Sequence, residues 1–191
     1  MGEIGINTGP GTPDTDAAMI NVEFKAELRD PMLARAAVRA MGALEAGVLE
    51  QTDTYFRVAD GRLKKRETKG EPTEWVFYDR ENRTLPKLSR FTIYDEATAH
   101  ERFGARPLPV WLTVKKTREL WLLGAVRIHL DEVDSLGRFL EIEALVSPKQ
   151  NVGKCHELVA QLRAKLGPAL GEPLSGSYSD MLATEETPHL S

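Results

Sequence analysis

The feature that most constrains the fold is an unbroken alternation of apolar and polar residues near the start of the chain. From Ile20 to Leu28 every second residue is apolar, and the positions between them carry Asn21, Glu23 and Lys25. A period of two over this length is typical of a β-strand whose two faces meet different surroundings. The pattern therefore predicts a strand with one apolar face and one charged face.

The same kind of charged face recurs on later segments that read as strands. A turn at Asp60-Gly61 precedes a strongly basic strand, and Gly124 joins a long strand to its hairpin partner. Within these strands the charged residues stand at alternate positions and share one face. They are Arg62, Lys64 and Arg66, then Lys116 and Arg118, then Arg127, His129 and Asp131, and finally Glu141 and Glu143.

Three helices are predicted between the strands. The first begins at Asp30-Pro31, where aspartate caps the helix and proline occupies its first turn. The others cover about 95–103 and 152–166, and the last carries Cys155 in its apolar stripe. Helices with apolar stripes must pack on the apolar face of the sheet, so the charged faces point towards one another. We therefore predict an α+β fold, an eight-stranded antiparallel β-barrel with flanking helices.

Composition limits the class of protein. A net charge of −4 argues against bulk nucleic-acid binding, and no apolar run is long enough to span a membrane. The single cysteine excludes an internal disulfide and favours a reducing, cytoplasmic location. We expect one domain over residues 19–182, a disordered polar leader over 1–18 and a C-terminal tail over 183–191. The sequence leaves a homodimer open.

Inward-facing charges of both signs suit one kind of ligand. Carboxylates supply the oxygen ligands that Mg²⁺ or Mn²⁺ prefers, while lysine and arginine bind phosphate oxygens. A triphosphate that arrives with its metal ion would need both. The alternative is an antiparallel sheet with one ordinary solvated face, for which such charges are common.

Four motifs, in order, resemble those of one known family. The opening Asn-Val-Glu-Phe-Lys at residues 21–25 resembles its Glu-x-Glu-x-Lys, and residues 51–56 with 61–67 are similar to its next strand pair. Residues 127–143 resemble a late hairpin that bears an aspartate and a Glu-x-Glu, and residues 177–182 resemble the closing Ser-Tyr-x-Asp-Leu-Leu. The family is the CYTH domain, or triphosphate tunnel metalloenzyme, family, and the closest resemblance is to its class IV adenylyl cyclase-like branch.

The resemblance implies a fold, an activity and a set of site residues. The family fold is an eight-stranded antiparallel barrel that binds triphosphates, such as ATP, tripolyphosphate or thiamine triphosphate, with Mg²⁺ or Mn²⁺. By that resemblance the metal ligands are Glu23, Glu141 and Glu143, and the catalytic residues are Lys25 and Asp131. The substrate-binding residues are Lys64, Arg66, Lys116, Arg118, Arg127 and Arg90.

One position departs from the family pattern. Asn21 stands where the first glutamate is usual, and an amide carries no charge and is a poor base. Three functions therefore remain open at this point. The chain could cyclise ATP to cyclic AMP and pyrophosphate, hydrolyse a triphosphate, or bind nucleotides or polyphosphate without turnover.

Overall fold

The computed structural model describes residues 18–104 and 106–185. Within these ranges the chain forms nine strands and four α-helices. The strands are β1 Met19–Leu28, β2 Leu44–Phe56, β3 Arg62–Thr68, β4 Glu74–Arg80, β5 Lys87–Tyr94, β6 Val110–Leu123, β7 Val126–Val133, β8 Gly137–Leu145 and β9 Leu170–Pro173. The helices are α1 Pro31–Ala40, α2 Glu96–Phe103, α3 Val152–Leu166 and α4 Tyr178–Glu185.

The first eight strands form a closed antiparallel barrel. Their order is β5-β4-β3-β2-β6-β7-β8-β1, and a pairing of β1 with β5 closes the ring. The short strand β9 adds to the C-terminal half of β1. The predicted α+β fold with an eight-stranded antiparallel barrel is therefore confirmed.

The two faces of β1 explain why the barrel has an apolar outside and a charged inside. Val22, Phe24 and Ala26 are buried in the main hydrophobic core, which also contains residues of α1 and α3. The alternate residues, Asn21 and Glu23 among them, are also buried, and they face the barrel interior. Because side chains alternate along a strand, helices that cover the apolar face leave the charged face turned inwards.

Helix caps fix where the covering helices begin. The Asp30 side chain accepts a hydrogen bond from the backbone N–H of Leu33, and Pro31 opens α1 as predicted. Asp95 and Asn151 cap α2 and α3 in the same way. Cys155 of α3 is fully buried in the main core, which confirms its prediction as a core residue. Among the described residues, no helix is long and apolar enough to cross a membrane.

One end of the barrel interior is apolar. Tyr55, Val114 and Phe139 share the interior face with the charged residues and pack against Tyr178 of α4. The interior therefore changes along its length from an apolar part beside α4 to a charged part. The sequence did not predict β9 or α4, because β9 has four residues and the segment before α4 is rich in serine and glycine.

The predicted ends of the domain meet the limits of the described residues. Residues 1–17, which make up nearly all of the predicted leader, lie outside the described residues. The tail was expected to begin at Ala183, but α4 continues through Glu185. Residues 186–191 lie outside the described part of the chain.

Replacement of Ile142 by alanine should destabilise the barrel strongly. Ile142 on β8 is fully buried and lies opposite Ile128 of β7 in the main core. Loss of its side chain leaves a cavity that neighbouring strands cannot fill, at about 2–5 kcal/mol of unfolding free energy. Urea unfolding measures the loss, and Leu122→Ala on the exposed surface is the control. A loss below ~1 kcal/mol would contradict the packing described above.

Candidate active site

Strand register brings the predicted site residues of β1, β7 and β8 together. Glu23 lies directly opposite Glu143, and Lys25 lies opposite Glu141. On the other side of β8, His129 lies opposite Glu141. Directly opposed residues have Cβ atoms about 4.5–5.5 Å apart, so these side chains share one region of the barrel interior.

Glu141 is the most heavily contacted carboxylate of this region. Lys25 Nζ lies 3.2 Å from Glu141 Oε1, and an Arg118 η nitrogen donates to Glu141 Oε2 at 2.9 Å. His129 Nδ1 lies 3.3 Å from Glu141 Oε2. Burial alone would raise the pKa of Glu141, but Lys25, His129 and Arg118 outweigh it and hold that pKa well below its usual range. Glu141 is therefore charged at neutral pH.

Glu23 points to a partner that the sequence did not suggest. Its carboxylate forms an ion pair with Arg80 of β4, and both side chains are almost fully buried. The strand around Arg80 reads Trp-Val-Phe-Tyr-Asp-Arg, which shows no alternation of apolar and polar residues. The polar face of β4 therefore gave no signal, although Arg80 shares the interior face with Tyr78.

Three side chains could hold a metal ion between them. One ligand atom from each of His129, Glu141 and Glu143 lies within 4.8 Å of the others. Glu143 is only partly buried, and no described residue forms a hydrogen bond or ion pair with its carboxylate. The buried Oδ1 of Asn21, on the same interior face, also has no hydrogen-bond partner among the described residues. These oxygen and imidazole donors fit a divalent cation such as Mn²⁺ or Mg²⁺.

Asp131, predicted as a catalytic residue, is surrounded by hydrogen-bond donors. Both of its oxygens accept from Arg118, at 2.7 and 2.6 Å, and Tyr178 Oη donates to Oδ2 at 2.7 Å. Burial would raise its pKa, but Arg118, with Lys116 and His129, lowers the pKa of Asp131 to about 2. Asp131 therefore fixes the orientation of Arg118, which in turn contacts Glu141.

Asp53 of β2 gathers the predicted phosphate-binding cations of β3 and β6. Lys64 and Lys116 donate to Asp53 Oδ2 at 2.9 and 2.8 Å, and Arg66 donates to both oxygens at 2.7 and 2.9 Å. Burial, followed by the nearby Arg66 charge, lowers the pKa of Lys64 to about 8. Asp53 was not among the predicted site residues, although it lies in one of the quoted motifs.

Two predicted phosphate-binding arginines are not part of these clusters. Arg90 of β5 is exposed opposite Asp79, and its side chain is on the outside of the barrel because Ser89 faces inwards. Arg127 faces the interior opposite Glu143, but it is exposed near the beginning of β7.

A buried lysine at the interior end of β5 was also missed. Lys87 is 1% exposed, and its ammonium donates to the backbone carbonyls of Arg83 and Ser175 at 3.2 and 2.6 Å. Burial, together with Arg80 and Lys25, lowers the pKa of Lys87 to about 7. Lys87 is the first residue of β5, and Leu88 beside it is exposed, so the alternation of apolar and polar residues gives little indication that this lysine is buried.

The contribution of Asp131 to stability should disappear in acid. Its pKa is lower in the folded chain than in the unfolded chain, so its stabilisation is present above about pH 4 and is lost as pH falls through about 2. Asp131→Asn should therefore cost about 2–3 kcal/mol or more at pH 6 and much less near pH 2. Urea unfolding of both proteins at several pH values measures the difference, and a constant difference across pH would contradict the ion pair.

The chain was compared with protein families and with known proteins. It matches the family model of the CYTH domain over residues 19–172. No curated protein sequence matches it.

Several solved structures share the fold at low sequence identity. The PH1012 protein from Pyrococcus horikoshii OT3 has a TM-score of 0.67 and 22% identity, over 84% of this chain and 98% of that chain. A protein from Vibrio parahaemolyticus that is provisionally named an adenylate cyclase has a TM-score of 0.68 and 17% identity, over 86% and 98%. HpAC1 from Hippeastrum, a candidate adenylyl cyclase with a dominant triphosphatase activity, has a TM-score of 0.58 and 11% identity, over 88% and 96%.

At these identities the structural likeness establishes a common fold, and the family match establishes the relationship. The matched residues begin with β1 and end within β9, so they contain the whole barrel and every interior carboxylate described above. The chain belongs to the CYTH domain family.

Proposed function

We propose that this protein is a divalent-metal-dependent enzyme that acts on triphosphates inside the barrel. One observation carries the proposal: a possible metal-binding cluster of His129, Glu141 and Glu143 lies beside a larger set of inward-facing cations. The interior carboxylates are Glu23, Asp53, Asp131, Glu141 and Glu143, and the interior cations are Lys25, Lys64, Arg66, Arg80, Lys87, Lys116 and Arg118.

The larger number of basic than acidic side chains favours a strongly anionic ligand, which would also keep Lys87 protonated although its pKa is lowered to about 7. Burying a charge without a partner is costly, and paired carboxylates offset only part of the positive charge in this interior. A triphosphate supplies several negative charges and many acceptor oxygens in one molecule. Arginine and lysine bind such oxygens through charge-assisted hydrogen bonds.

The metal would be held by Glu141 and Glu143, with His129 as a further ligand. When bound, a divalent ion would neutralise phosphate charge and polarise the phosphoryl group. Glu23, predicted as a ligand, lies opposite Glu143 and could join this set only by leaving Arg80. The ion pairs of Glu141 with Lys25 and Arg118 would likewise be exchanged, so that these cations bind phosphate.

Lys25 and Arg118 are placed to act on the phosphate nearest the metal. Lys25 Nζ lies 3.9 Å from the centre of the Tyr178 ring, which limits the directions available to its ammonium. Arg118 is oriented by Asp131 through two hydrogen bonds. Phosphoryl transfer needs positioning and charge neutralisation more than a covalent nucleophile, and both side chains supply these. We therefore assign Asp131 to orientation of Arg118.

Hydrolysis is the reaction that the site supports best. Cyclisation would need a group to take the proton of a ribose hydroxyl, and neither Asn21, which is neutral, nor Asp131, whose pKa is lowered to about 2, suits that role. Glu143 is an unpaired carboxylate with partial access to solvent, and it could orient a water molecule. The triphosphatase activity of HpAC1 agrees with this choice. The resemblance to the cyclase-like branch favours cyclisation as the second candidate.

Analysis of reaction products tests the proposal. With Mn²⁺ or Mg²⁺ the protein should release phosphate from tripolyphosphate, thiamine triphosphate or ATP, and a double variant Glu141→Gln/Glu143→Gln should release at least ~100-fold less. Chromatography separates phosphate from cyclic AMP and pyrophosphate. Glu67→Gln, on the outside of β3, is the matched control for loss of a carboxylate.

The possible products separate the candidate functions. Formation of cyclic AMP with pyrophosphate from ATP would show that the reaction is cyclisation and not hydrolysis. Metal-dependent binding of tripolyphosphate without any product, from any of the three substrates, would identify a binding module. Neither binding nor turnover would refute action on triphosphates.

Metal selectivity should depend on His129. Imidazole is a better ligand for Mn²⁺ than for Mg²⁺, which prefers oxygen. His129→Asn should therefore weaken Mn²⁺ binding by ~10-fold or more while it changes Mg²⁺ binding much less. The electron paramagnetic resonance signal of free Mn²⁺ reports its binding, and competition by Mg²⁺ reports the second affinity. Equal losses for both ions would exclude His129 as a ligand.

A further inference from the structure

Three cations converge on Asp53, whose side chain is 1% exposed. Its Oδ1 accepts from Arg66 Nε, and its Oδ2 accepts from Lys64 Nζ, Lys116 Nζ and an Arg66 η nitrogen. The four donors match the roughly four acceptor sites of a carboxylate. Asp53 therefore has no acceptor site left for a metal ion and serves as an anchor for its cations.

The anchored cations keep donors that Asp53 does not use. Arg66 binds Asp53 through Nε and one η nitrogen, and its other η nitrogen has no hydrogen bond to a described residue. Lys64 gives Asp53 only one of its three N–H donors. The side chains of Lys64 and Arg66 are 13% and 17% exposed, whereas Lys116 is almost completely enclosed. Lys64 and Arg66 are thus the members of this cluster that a ligand can reach.

The cluster is separated from the possible metal ligands along the barrel wall. Strand β6 lies between β2, which carries Asp53, and β7, which carries His129. Two strand spacings correspond to about 10 Å along the wall. On β6 itself, Lys116 contacts Asp53 and Arg118 contacts Glu141, so one strand joins the two clusters. A chain of phosphates with its metal at Glu141 and Glu143 would extend towards Lys64 and Arg66.

We propose that Asp53 is a positioning residue that holds Arg66, Lys64 and Lys116 as a subsite for the phosphate most distant from the metal. The inference rests on the proposed triphosphate function. It names the residue of that same site that would make binding depend on the number of phosphates in the ligand. Asp53 touches no substrate atom. It fixes the plane of the Arg66 guanidinium through two parallel hydrogen bonds, which leaves the remaining N–H groups in a defined direction.

Removal of the Asp53 charge could strengthen or weaken phosphate binding, and the direction of the change tests the role of Asp53. If Asp53 merely competed with phosphate, Asp53→Asn would strengthen phosphate binding. If Asp53 positions the cations, the same change would free the Arg66 guanidinium and leave Lys116 buried without its ion-pair partner. A buried lysine without a partner tends to lose its proton, so the subsite would gain little net positive charge while it lost its orientation. We therefore expect weaker binding.

The test is calorimetric binding of tripolyphosphate and pyrophosphate, with Mn²⁺, to the full-length protein and its variants. Asp53→Asn should weaken tripolyphosphate binding about 10- to 100-fold and pyrophosphate binding less than about 3-fold. The KM for a triphosphate should rise more than kcat falls, because the affected phosphate is remote from the reacting bond. Glu67→Gln, a neighbouring loss of charge on the outer face, should leave both affinities unchanged.

A second variant keeps the inference testable if Asp53→Asn does not fold. Asp53→Glu keeps the charge but moves the carboxylate by one methylene, so it should retain the fold and still weaken tripolyphosphate binding selectively. In the double-mutant cycle of Asp53→Asn with Arg66→Gln, the second change should add little to the first.

The outcomes are distinct. In one outcome the wild-type protein binds tripolyphosphate and the Asp53 variants bind it equally or more tightly. That result overturns the positioning role and leaves the proposed function intact. Equal losses for both phosphates, or additive losses in the cycle, also overturn it. Absence of tripolyphosphate binding to the wild-type protein would refute the proposed function and the inference together.

Discussion

The structure depends on the pairing of charges inside a closed barrel. Where α1 and α3 pack on the barrel its outer face is apolar, so the polar residues of those strands are directed inwards. An ionised side chain away from water costs several kcal/mol unless a partner of opposite charge is near. The interior is therefore organised as ion pairs between strands, and strand register and barrel closure decide which pairs form.

Arg118 shows how these pairs are connected. It forms two hydrogen bonds with Asp131 and one with Glu141, so it joins Asp131 to a carboxylate that could bind metal. Asp131 is also fixed by Tyr178 of α4, which links the apolar end of the interior to the charged end. The position of Arg118 thus depends on packing at a distance from the metal cluster. If Arg118 exchanged its contact with Glu141 for one with a phosphate, it would keep its orientation because Asp131 would still hold it.

The sequence predicted the barrel because its strongest signal is local. Alternation in β1 places Glu23 and Lys25 on one face whatever the neighbouring strands are, and the same holds for Glu141 and Glu143. The partners of these residues depend on register and on closure of β1 against β5, which alternation does not encode. Arg80 was missed for that reason, and its aromatic-rich strand gave no period-two signal. Asp131 faces the barrel interior as predicted. Its contacts, through which it holds Arg118, depend on the folded structure and could not be predicted from the sequence.

Asn21 takes on a different meaning once these pairs are known. A glutamate at this position would add a negative charge on the same face as Glu23, which is already paired with Arg80, and close to Glu143, which lies opposite Glu23. The amide instead contributes a buried carbonyl oxygen without a hydrogen-bond partner among the described residues, which could accept from a bound water or ligate a cation. An amide in place of a carboxylate therefore lowers the negative charge near Glu23 and Glu143, while the inward-facing cations are unchanged. The net charge of the interior therefore becomes more positive, which favours a strongly anionic ligand such as the phosphate chain of the proposed substrate.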